Sequence, residues 1–365
     1  MELTKCKLGE LITQRREKND GSDLPICGVS KDGLIPPKQK DADTSIYNVF
    51  YRDDFIFNPA RMELNSIAIN DMYDRAICSS LYEVFYVHRT DLLLPHYLEL
   101  IIRQKWFTRY CKFLGQGSAR EYCRFGNISE IEIEFPPIEE QQKIVEYNTA
   151  IENRIALKQK INDNLLATTQ AIYKSWFVDF EPFDNVCPSD WGNGCVDDIA
   201  EFYDSMRKPL SSLERADMER IYPYYGAVSI VDYVDDFIFD GEYLLLSEDG
   251  IYVVDENGHP LLQHITGKFW ANNHAHILKG KSGFNEDSLY LFLANTNMAP
   301  IVTGAAQPKI NQANLKSFPI TIPTSKVIEN FNALIQPFFD QRLSNEAEVK
   351  KLESLKDLLL SRLVN

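Results

Sequence analysis

The sequence of 365 residues predicts an α+β protein with two mixed α/β domains and an antiparallel pair of long helices in a pseudo-two-fold arrangement. Three observations support this prediction. Segments of the first half recur in the second half, each half ends in a long helical pattern, and strand-like runs precede each pattern. At roughly 100–200 residues per domain, the length also favours two or three folding units.

The repeats indicate an internal duplication. Residues 117–136 (GSAREYCRFGNISEIEIEFP) align without a gap to residues 304–323 (GAAQPKINQANLKSFPITIP), at an offset of 187. Glycine, alanine, asparagine, isoleucine and proline are each identical at one aligned position, five positions in all. Upstream, residues 53–57 (DDFIF) recur letter for letter at 235–239. Because these matches occur in the same order in both halves, we interpret the chain as a duplicated unit.

Each half is predicted to end in a long helix. Residues 139–177 contain no glycine or proline, and residues 325–364 repeat the apolar pattern, with Pro337 expected to kink or split the second helix. A helix of about 38 residues would be about 57 Å long and needs a packing partner. We expect the two helices to form an intramolecular coiled coil; the alternative is that they only cap two globular domains. The predicted helix or subunit interface comprises Ile151, Ile155, Leu165, Ile172, Trp176, Leu352, Leu355 and Leu359.

These patterns divide the chain into five parts. Globular domains are predicted at 1–138 and 191–324, long helices at 139–178 and 325–365, and a proline-containing linker at 179–190. Strand-like runs fall at 46–50, 82–87, 131–135, 243–247, 273–278 and 318–322, and shorter helices are expected at 96–108 and 286–295. Both globular parts therefore read as mixed α/β.

Composition narrows the class of protein. The net charge is −15, of which −13 falls within residues 178–324, so net charge alone does not predict a nucleic-acid-binding protein. No apolar run approaches the roughly 18 residues of a membrane span, and the first residues lack the apolar stretch of a signal peptide. Seven cysteines without a C-x-x-C pair indicate reduced thiols and a cytoplasmic protein.

The sequence carries no recognisable catalytic or metal motif. Gly280, Lys281 and Ser282 match the end of a phosphate-binding loop, but Ala275 stands where its first glycine is required. His274 and His276 would share a strand face, yet two further metal ligands are not evident, which favours structural or polar-contact roles. We expect no catalytic residues and no metal.

The duplicated plan resembles the specificity subunit of type I restriction-modification enzymes. The resemblance rests on the division into two diverged halves and on several short segments. These segments are the glycine-to-proline segments at 117–136 and 304–323, EEQQKI at 139–144, AIYKSWFVDFEPF at 171–183, and WANNHAHIL at 270–278. The resemblance covers essentially the whole chain. The junction motifs are specific, whereas the domain interiors match only loosely.

The resemblance implies a non-catalytic subunit with two target recognition domains. Each would read one half of an asymmetric, interrupted DNA site, and the helices would act as a spacer and dock two methyltransferase subunits. Restriction subunits are possible further partners. This chain would bind no cofactor itself; partner subunits would bind S-adenosylmethionine, and ATP with magnesium where a motor subunit exists. The implied location is the cytoplasm of a bacterium or archaeon.

Candidate DNA contacts follow from local composition, because base and phosphate recognition uses Arg, Lys, Asn and Gln. They are Lys112, Arg120, Arg124, Arg61, Asn272, Asn273, His274, Gln307, Lys309 and Asn311. Lys38 and Lys40 are weaker phosphate candidates, and Arg103, Lys105 and Arg109 lie beside the first group. The alternatives are a solvated basic helix face in the first half, and capping or turn roles for the Asn and Gln residues in the second.

A different class of function also fits part of the pattern. A scaffold that joins two copies of a partner would keep the helices without reading DNA, and an acidic protein could mimic DNA. A scaffold would not need glycine-flanked basic turns in both globular parts, and a mimic would spread its acids over the whole surface. Both alternatives therefore explain the sequence less well.

Overall fold

The chain is described by a computed structural model over residues 3–37, 43–115, 122–250, 253–304 and 307–361. It forms two compact units. Unit 1 contains Met1–Leu157 and Glu348–Asn365, and unit 2 contains Lys158–Ala347. Each unit combines sheets with helices, which confirms the predicted α+β class.

The strands of unit 1 form three small sheets. They are β1 (Thr4–Lys7), β2 (Ile12–Arg15), β3 (Ile26–Ser30), β4 (Gly33–Ile35), β5 (Asn48–Tyr51), β6 (Phe55–Phe57), β7 (Ile67–Ile69), β8 (Arg75–Cys78), β9 (Glu83–Val87) and β10 (Glu132–Phe135). The strand orders are β2-β9-β6-β7, β4-β3-β8-β5 and β1-β10. Pairing is antiparallel except between β3 and β8.

Helices cover and extend these sheets. They are α1 (Pro95–Ile102), α2 (Lys105–Gly115), α3 (Phe125–Ser129) and the long α4 (Ile138–Phe177). The core of unit 1 gathers Phe55, Phe57 and Phe85 from the strands with Tyr97 and Phe107 from α1 and α2. The single helix expected at 96–108 is wrong: Gln104 interrupts it, accepting the Trp106 indole N–H through Oε1 at 2.8 Å and the Phe107 amide through its carbonyl at 3.1 Å.

Unit 2 is built around one larger sheet. Its strands are β11 (Gly192–Cys195), β12 (Ala200–Phe202), β13 (Tyr222–Tyr225), β14 (Ile230–Val234), β15 (Phe239–Ser247), β16 (Leu262–Ala271), β17 (Ala275–Gly280) and β18 (Pro319–Ile322). Its helices are α5 (Val196–Ile199), α6 (Ser212–Ala216), α7 (Glu286–Ala294), α8 (Gln312–Lys316) and the long α9 (Ser325–Ser361). The six-stranded order is β12-β17-β15-β16-β13-β14, and β11 pairs with β18.

The duplication is visible in the order and spacing of the elements. Helix α8 is the counterpart of α3, and β18 is the counterpart of β10. Both pairs are separated by the same 187 residues as the repeated segments. In each half the first strand pairs antiparallel with the strand before the long helix, as β1 with β10 and β11 with β18. The two halves therefore form the same arrangement of these elements from different residues.

Within each unit the two long helices pair in antiparallel fashion. In unit 1, Lys356 of α9 forms an ion pair with Glu152 of α4, and Arg154 pairs with Glu348. In unit 2, Trp176 and Phe177 of α4 pack on Phe331 of α9, with ring centroids 5.7 and 4.7 Å apart. Residues later in α4 contact residues earlier in α9, so the two helices run antiparallel.

The predicted seam residues are partly buried, with one exception. Ile151, Ile155, Leu165, Ile172, Trp176, Leu352 and Leu359 are partly buried, whereas Leu355 is 50% exposed. Helix α9 continues through Pro337 without splitting. The fully buried positions on α9 are Ile328, Phe331, Ile335, Phe339 and Asn345. The first four are three or four residues apart and therefore lie on one face of the helix.

Candidate nucleic-acid interface

The three described basic candidates of the first half, Arg61, Lys112 and Arg124, belong to segments that meet at one junction. Cys111 and Cys123 are both buried in the core of unit 1, and the Cys123 amide donates to the carbonyl of Pro59 at 3.0 Å. Lys112 follows Cys111, and Arg124 follows Cys123. Arg61 lies two residues after Pro59, in a short 3₁₀ helix that packs against α2. The fold thus brings together three chain segments that each carry a basic residue.

These three cations differ in their ion pairs. Arg124 forms an ion pair with Glu83 at 3.3 Å and lies over the ring of Tyr122, but its side chain is 67% exposed. Lys112 and Arg61 are exposed and form no ion pair within the described residues. Arg120 lies outside the described residues, as do Lys38 and Lys40. The interface role of all these residues stays a prediction.

Helix α2 adds two aromatic residues that the sequence analysis missed. Tyr110 and Phe113 are 41% and 65% exposed, and their rings stack with centroids 6.3 Å apart. They are interleaved with the exposed cations Lys105, Arg109 and Lys112, and α2 contains no acidic residue. The available signal was their position on the helix: the buried residues Phe107 and Cys111 are four apart, so Tyr110 and Phe113 fall outside that stripe.

Helix α2 therefore offers a surface suited to nucleic acid. Its cations can approach phosphates, and its exposed rings can stack on bases or pack on sugars. Arg103, just before α2, is different, because it donates to the Lys31 carbonyl and to Glu99 at 3.3 Å. We call the exposed residues Lys105, Arg109, Tyr110, Lys112 and Phe113 the α2 face.

The second-half candidates converge around Glu248, at the end of β15. The Glu248 amide donates to the His274 carbonyl at 2.9 Å, and its own carbonyl accepts the Ile310 amide at 2.9 Å. The Nζ of Lys309 lies 2.9 Å from Glu248 Oε1. Asn272, Asn273 and His274 occupy the turn between β16 and β17, so this turn and the 307–311 segment meet at one place.

Several of these candidates already have structural partners. Asn311 caps α8 by accepting the Asn314 amide at 2.8 Å, and Asn272 is buried and accepts the His274 amide at 2.9 Å. His274 Nδ1 lies 2.7 Å from Asp249 Oδ1. The capping and turn roles that the sequence left open are therefore present for Asn311 and Asn272. Asn273 and Gln307 have exposed side chains.

Beneath this junction lies a buried ionic network. Asp204 Oδ2 is 2.6 Å from His276 Nδ1 and accepts Gln312 Nε2 at 2.8 Å, while Oδ1 accepts the Ile277 amide at 2.8 Å. His276 Nε2 lies 2.8 Å from the carbonyl of Ile310. Both ring nitrogens thus meet acceptors, which is the arrangement that suits a doubly protonated imidazole.

Two further cations complete the network. Arg207 Nη1 is 2.5 Å from Glu248 Oε2, and Arg207 Nη2 is 3.5 Å from Asp204 Oδ2. Burial opposes ionisation of both acids, but the hydrogen bond from His276 lowers the pKa of Asp204, and hydrogen bonds from Lys309 and Arg207 lower the pKa of Glu248. The network fixes the segments that carry the second-half candidates.

Comparison with known proteins identifies the family. The family model described as "Type I restriction modification DNA specificity domain" matches residues 6–167 and again residues 188–355. The chain belongs to this family. The two matches also fall on the two repeats, so the specificity domain occurs twice, and the type I specificity subunits that make up the family are non-catalytic.

Individual relatives agree with this assignment. The specificity subunit of the type I restriction enzyme MjaIX from Methanocaldococcus jannaschii is 25% identical over 299 residues, which cover 75% of this chain and 69% of the relative. A candidate type I specificity subunit of Haemophilus influenzae is 38% identical over 132 residues, or 36% of this chain. This alignment spans only 33% of the Haemophilus protein.

A solved structure shares the fold. The S subunit of a type I restriction-modification system from M. genitalium superposes with a TM-score of 0.59 at 13% identity, covering 100% of this chain and 96% of that one. Within its described ranges, this specificity protein has no helix that is both long and apolar enough to cross a bilayer.

Proposed function

We propose that this chain reads an asymmetric, bipartite DNA sequence for a type I restriction-modification complex. The observation that carries the proposal is that the family's specificity domain occurs twice and ends each time in a long helix. Because the two copies differ at most positions, each would read a different half-site. The proposed compartment is the cytoplasm of a bacterium or archaeon.

The helices supply the spacing between the half-sites. A 40-residue helix such as α4 is about 60 Å long, compared with about 34–36 Å for one turn of DNA. A shift of one base pair would move a reading domain by about 3.4 Å and rotate it about the DNA axis. A spacer of fixed length therefore favours sites with a fixed gap.

In the first half, we assign DNA contacts to the α2 face together with Arg61, Arg124 and Arg120. The exposed cations supply phosphate attraction, and Tyr110 and Phe113 supply apolar contacts to sugars or bases. In the second half, Asn273 and Gln307 are the exposed amides suited to base edges, while His274 and Lys309 could contact DNA only by giving up or sharing Asp249 and Glu248.

Partner subunits complete the proposed activity. Two methyltransferase subunits would dock on the helical regions, where Leu355 and Leu358 of α9 are 50% and 51% exposed, and would bind S-adenosylmethionine. Restriction subunits, where they exist, would add ATP and magnesium chemistry. The acidic second half, with exposed Asp235, Asp236 and Asp240, would face a basic partner rather than DNA.

The deciding experiment is a genome-wide map of methylated adenines in cells with and without this gene. We expect an interrupted, asymmetric motif to lose methylation when the gene is deleted and to regain it on complementation. Complementation with an α2-face variant, Lys112→Ala with Phe113→Ala, should reduce methylation at that motif. An unchanged methylation map would contradict the proposal and favour a scaffold without sequence readout.

A further inference from the structure

Unit 2 contains two clusters in which one histidine meets two carboxylates. The first is Asp204, Glu248 and His276, where Arg207 and Lys309 already neutralise the acids. The second is Glu242, His264 and Asp287, which lie on β15, β16 and α7. Among the described residues, no Arg or Lys lies within ion-pair distance of the second cluster. Its two carboxylates are therefore not neutralised as those of the first cluster are.

Glu242 orients the imidazole of His264. Glu242 Oε1 lies 2.6 Å from His264 Nε2, and the two residues sit diagonally on paired antiparallel strands, beside Tyr243 and Ile265. An ionised carboxylate can only accept, so Nε2 carries the proton and donates. In the neutral ring this leaves a lone pair on Nδ1. A carboxylate behind a histidine is the usual partner of a metal-binding imidazole.

Asp287 faces that lone pair with an oxygen that has no partner. The Asp287 side chain is 3% exposed, and its Oδ2 accepts the side-chain N–H of Gln336 at 3.2 Å. Its Oδ1 is buried and makes no hydrogen bond. It lies 3.5 Å from His264 Nδ1, beyond the 2.7–2.9 Å typical of a charge-assisted hydrogen bond.

A separation of 3.5 Å suits two ligands of one tetrahedral ion. Zinc binds imidazole nitrogen and carboxylate oxygen at about 2.0–2.2 Å, and two such bonds at a tetrahedral angle place their ligand atoms about 3.4 Å apart. We propose that His264 Nδ1 and Asp287 Oδ1 bind a zinc-class divalent cation, with Glu242 as the residue that positions His264.

The surroundings of Asp287 provide negative charge for such an ion. Glu242, Glu286 and Asp340 surround Asp287 with negative charge, which favours a cation at this place.

The proposed ion would connect three elements of unit 2. His264 belongs to the central sheet and Asp287 to α7, while Gln336, which holds the other oxygen of Asp287, belongs to α9. Bound zinc would therefore stabilise the attachment of the long helix to the sheet. The ligands are 23 residues apart on different elements, which explains why no metal motif was visible in the sequence.

The test is zinc binding by the full-length chain after treatment with a chelator, measured in competition with a chromophoric zinc chelator. We expect one saturable equivalent and a melting temperature that rises with zinc. His264→Asn and Asp287→Asn should weaken binding at least tenfold, and Glu242→Gln by about 10–100-fold, as for other residues that orient metal-binding histidines.

His259→Asn is the matched control, because His259 also faces an aspartate, with its Nδ1 3.4 Å from Asp255 Oδ2, but is a third exposed. It should bind zinc like the unaltered chain. Melting curves in chelator would confirm that each variant is folded. The proposal is overturned if the unaltered chain binds no zinc, or if the His264 and Asp287 variants bind it as well as the control does.

Discussion

The carboxylate of Asp204 and the imidazole of His276 form a buried pair, with Oδ2 2.6 Å from Nδ1 and His276 fully inaccessible to solvent. The pair ties β17 to the segment that follows β12. Its loss should affect unit 2 more than any surface substitution.

Asp204→Asn should lower the free energy of unfolding of unit 2 by about 3–5 kcal/mol, because the substitution removes the carboxylate that is closest to the buried His276. Urea unfolding followed by tryptophan fluorescence would measure this, since Trp176, Trp191 and Trp270 lie in unit 2. Glu329→Gln, which removes an exposed ion pair with Lys326, should change stability by less than about 1 kcal/mol. Equal effects of the two substitutions would contradict the assigned role.

The stability of unit 2 should fall in acid as Asp204 and Glu248 become protonated. Both have a lowered pKa in the folded state, so the unfolded chain binds more protons below about pH 4, and stability rises with pH there. The contribution is complete above the ordinary carboxylate pKa and is lost as pH falls through the folded values. We would measure the free energy of unfolding at several pH values between 3 and 7. It should fall more steeply with decreasing pH for the unaltered chain than for Asp204→Asn.

The α2 face should contribute to DNA affinity in the assembled complex. Lys112→Ala should weaken binding to all sequences and reduce the slope of log affinity against log salt by about 1. Phe113→Ala should cost about 1–3 kcal/mol if the ring stacks on a base. Fluorescence anisotropy with a cognate duplex would measure both. Lys326→Ala on α9 is the control, and the idea fails if it weakens binding as much as Lys112→Ala does.

Asn345 should fix the register of the helix pair in unit 2. It is 1% exposed, donates to Asn162 Oδ1 at 2.8 Å, and accepts from Lys158 and Gln341 at 2.9 Å each. Asn345→Ala should cost about 1–3 kcal/mol because these buried groups lose their partner. Leu334→Ala, at a 41% exposed position on the same helix, should change stability by about 0.5 kcal/mol or less. Thermal unfolding would compare the two variants, and a smaller loss for Asn345→Ala would rule out this role.

The chain alone should bind its DNA site weakly. Residues 178–324 carry 9 basic and 22 acidic residues, which repel a polyanion until a basic partner covers them. Anisotropy titrations in about 150 mM salt should show a large gain in affinity when methyltransferase subunits are added. Nanomolar binding by the isolated chain under these conditions would contradict the proposed dependence on partners.

The sequence predicted the features that depend on local pattern. The duplication, the α+β class and the long helices follow from repeats and from apolar spacing, which survive in any tertiary context. The interruption at Gln104 was missed because it depends on a hydrogen bond from the Trp106 side chain rather than on a glycine or proline. Boundaries set by side-chain contacts cannot be found from periodicity.

The candidate sites were predictable only in part. Lys309 and His274 were chosen for their chemistry, but their pairing with Glu248 and Asp249 depends on a turn between strands and a distant segment meeting in space. Asn311 shows the opposite case, since an asparagine before a short helical run is a recognisable N-cap. Residue type indicates what a side chain can bind, and the fold decides which partner it meets first.

The pairing of β1 with β10, and of β11 with β18, places the entrance and exit of each globular part side by side. The segment between the two paired strands therefore begins and ends at neighbouring positions, as an inserted domain does. Recombination within the paired strands could therefore exchange one insertion for another of different length and keep the helix that follows in frame and in place. If each globular part reads one half-site, as proposed, a new half-site preference could thus be acquired in a single genetic step, while the length of the helix that follows is inherited unchanged.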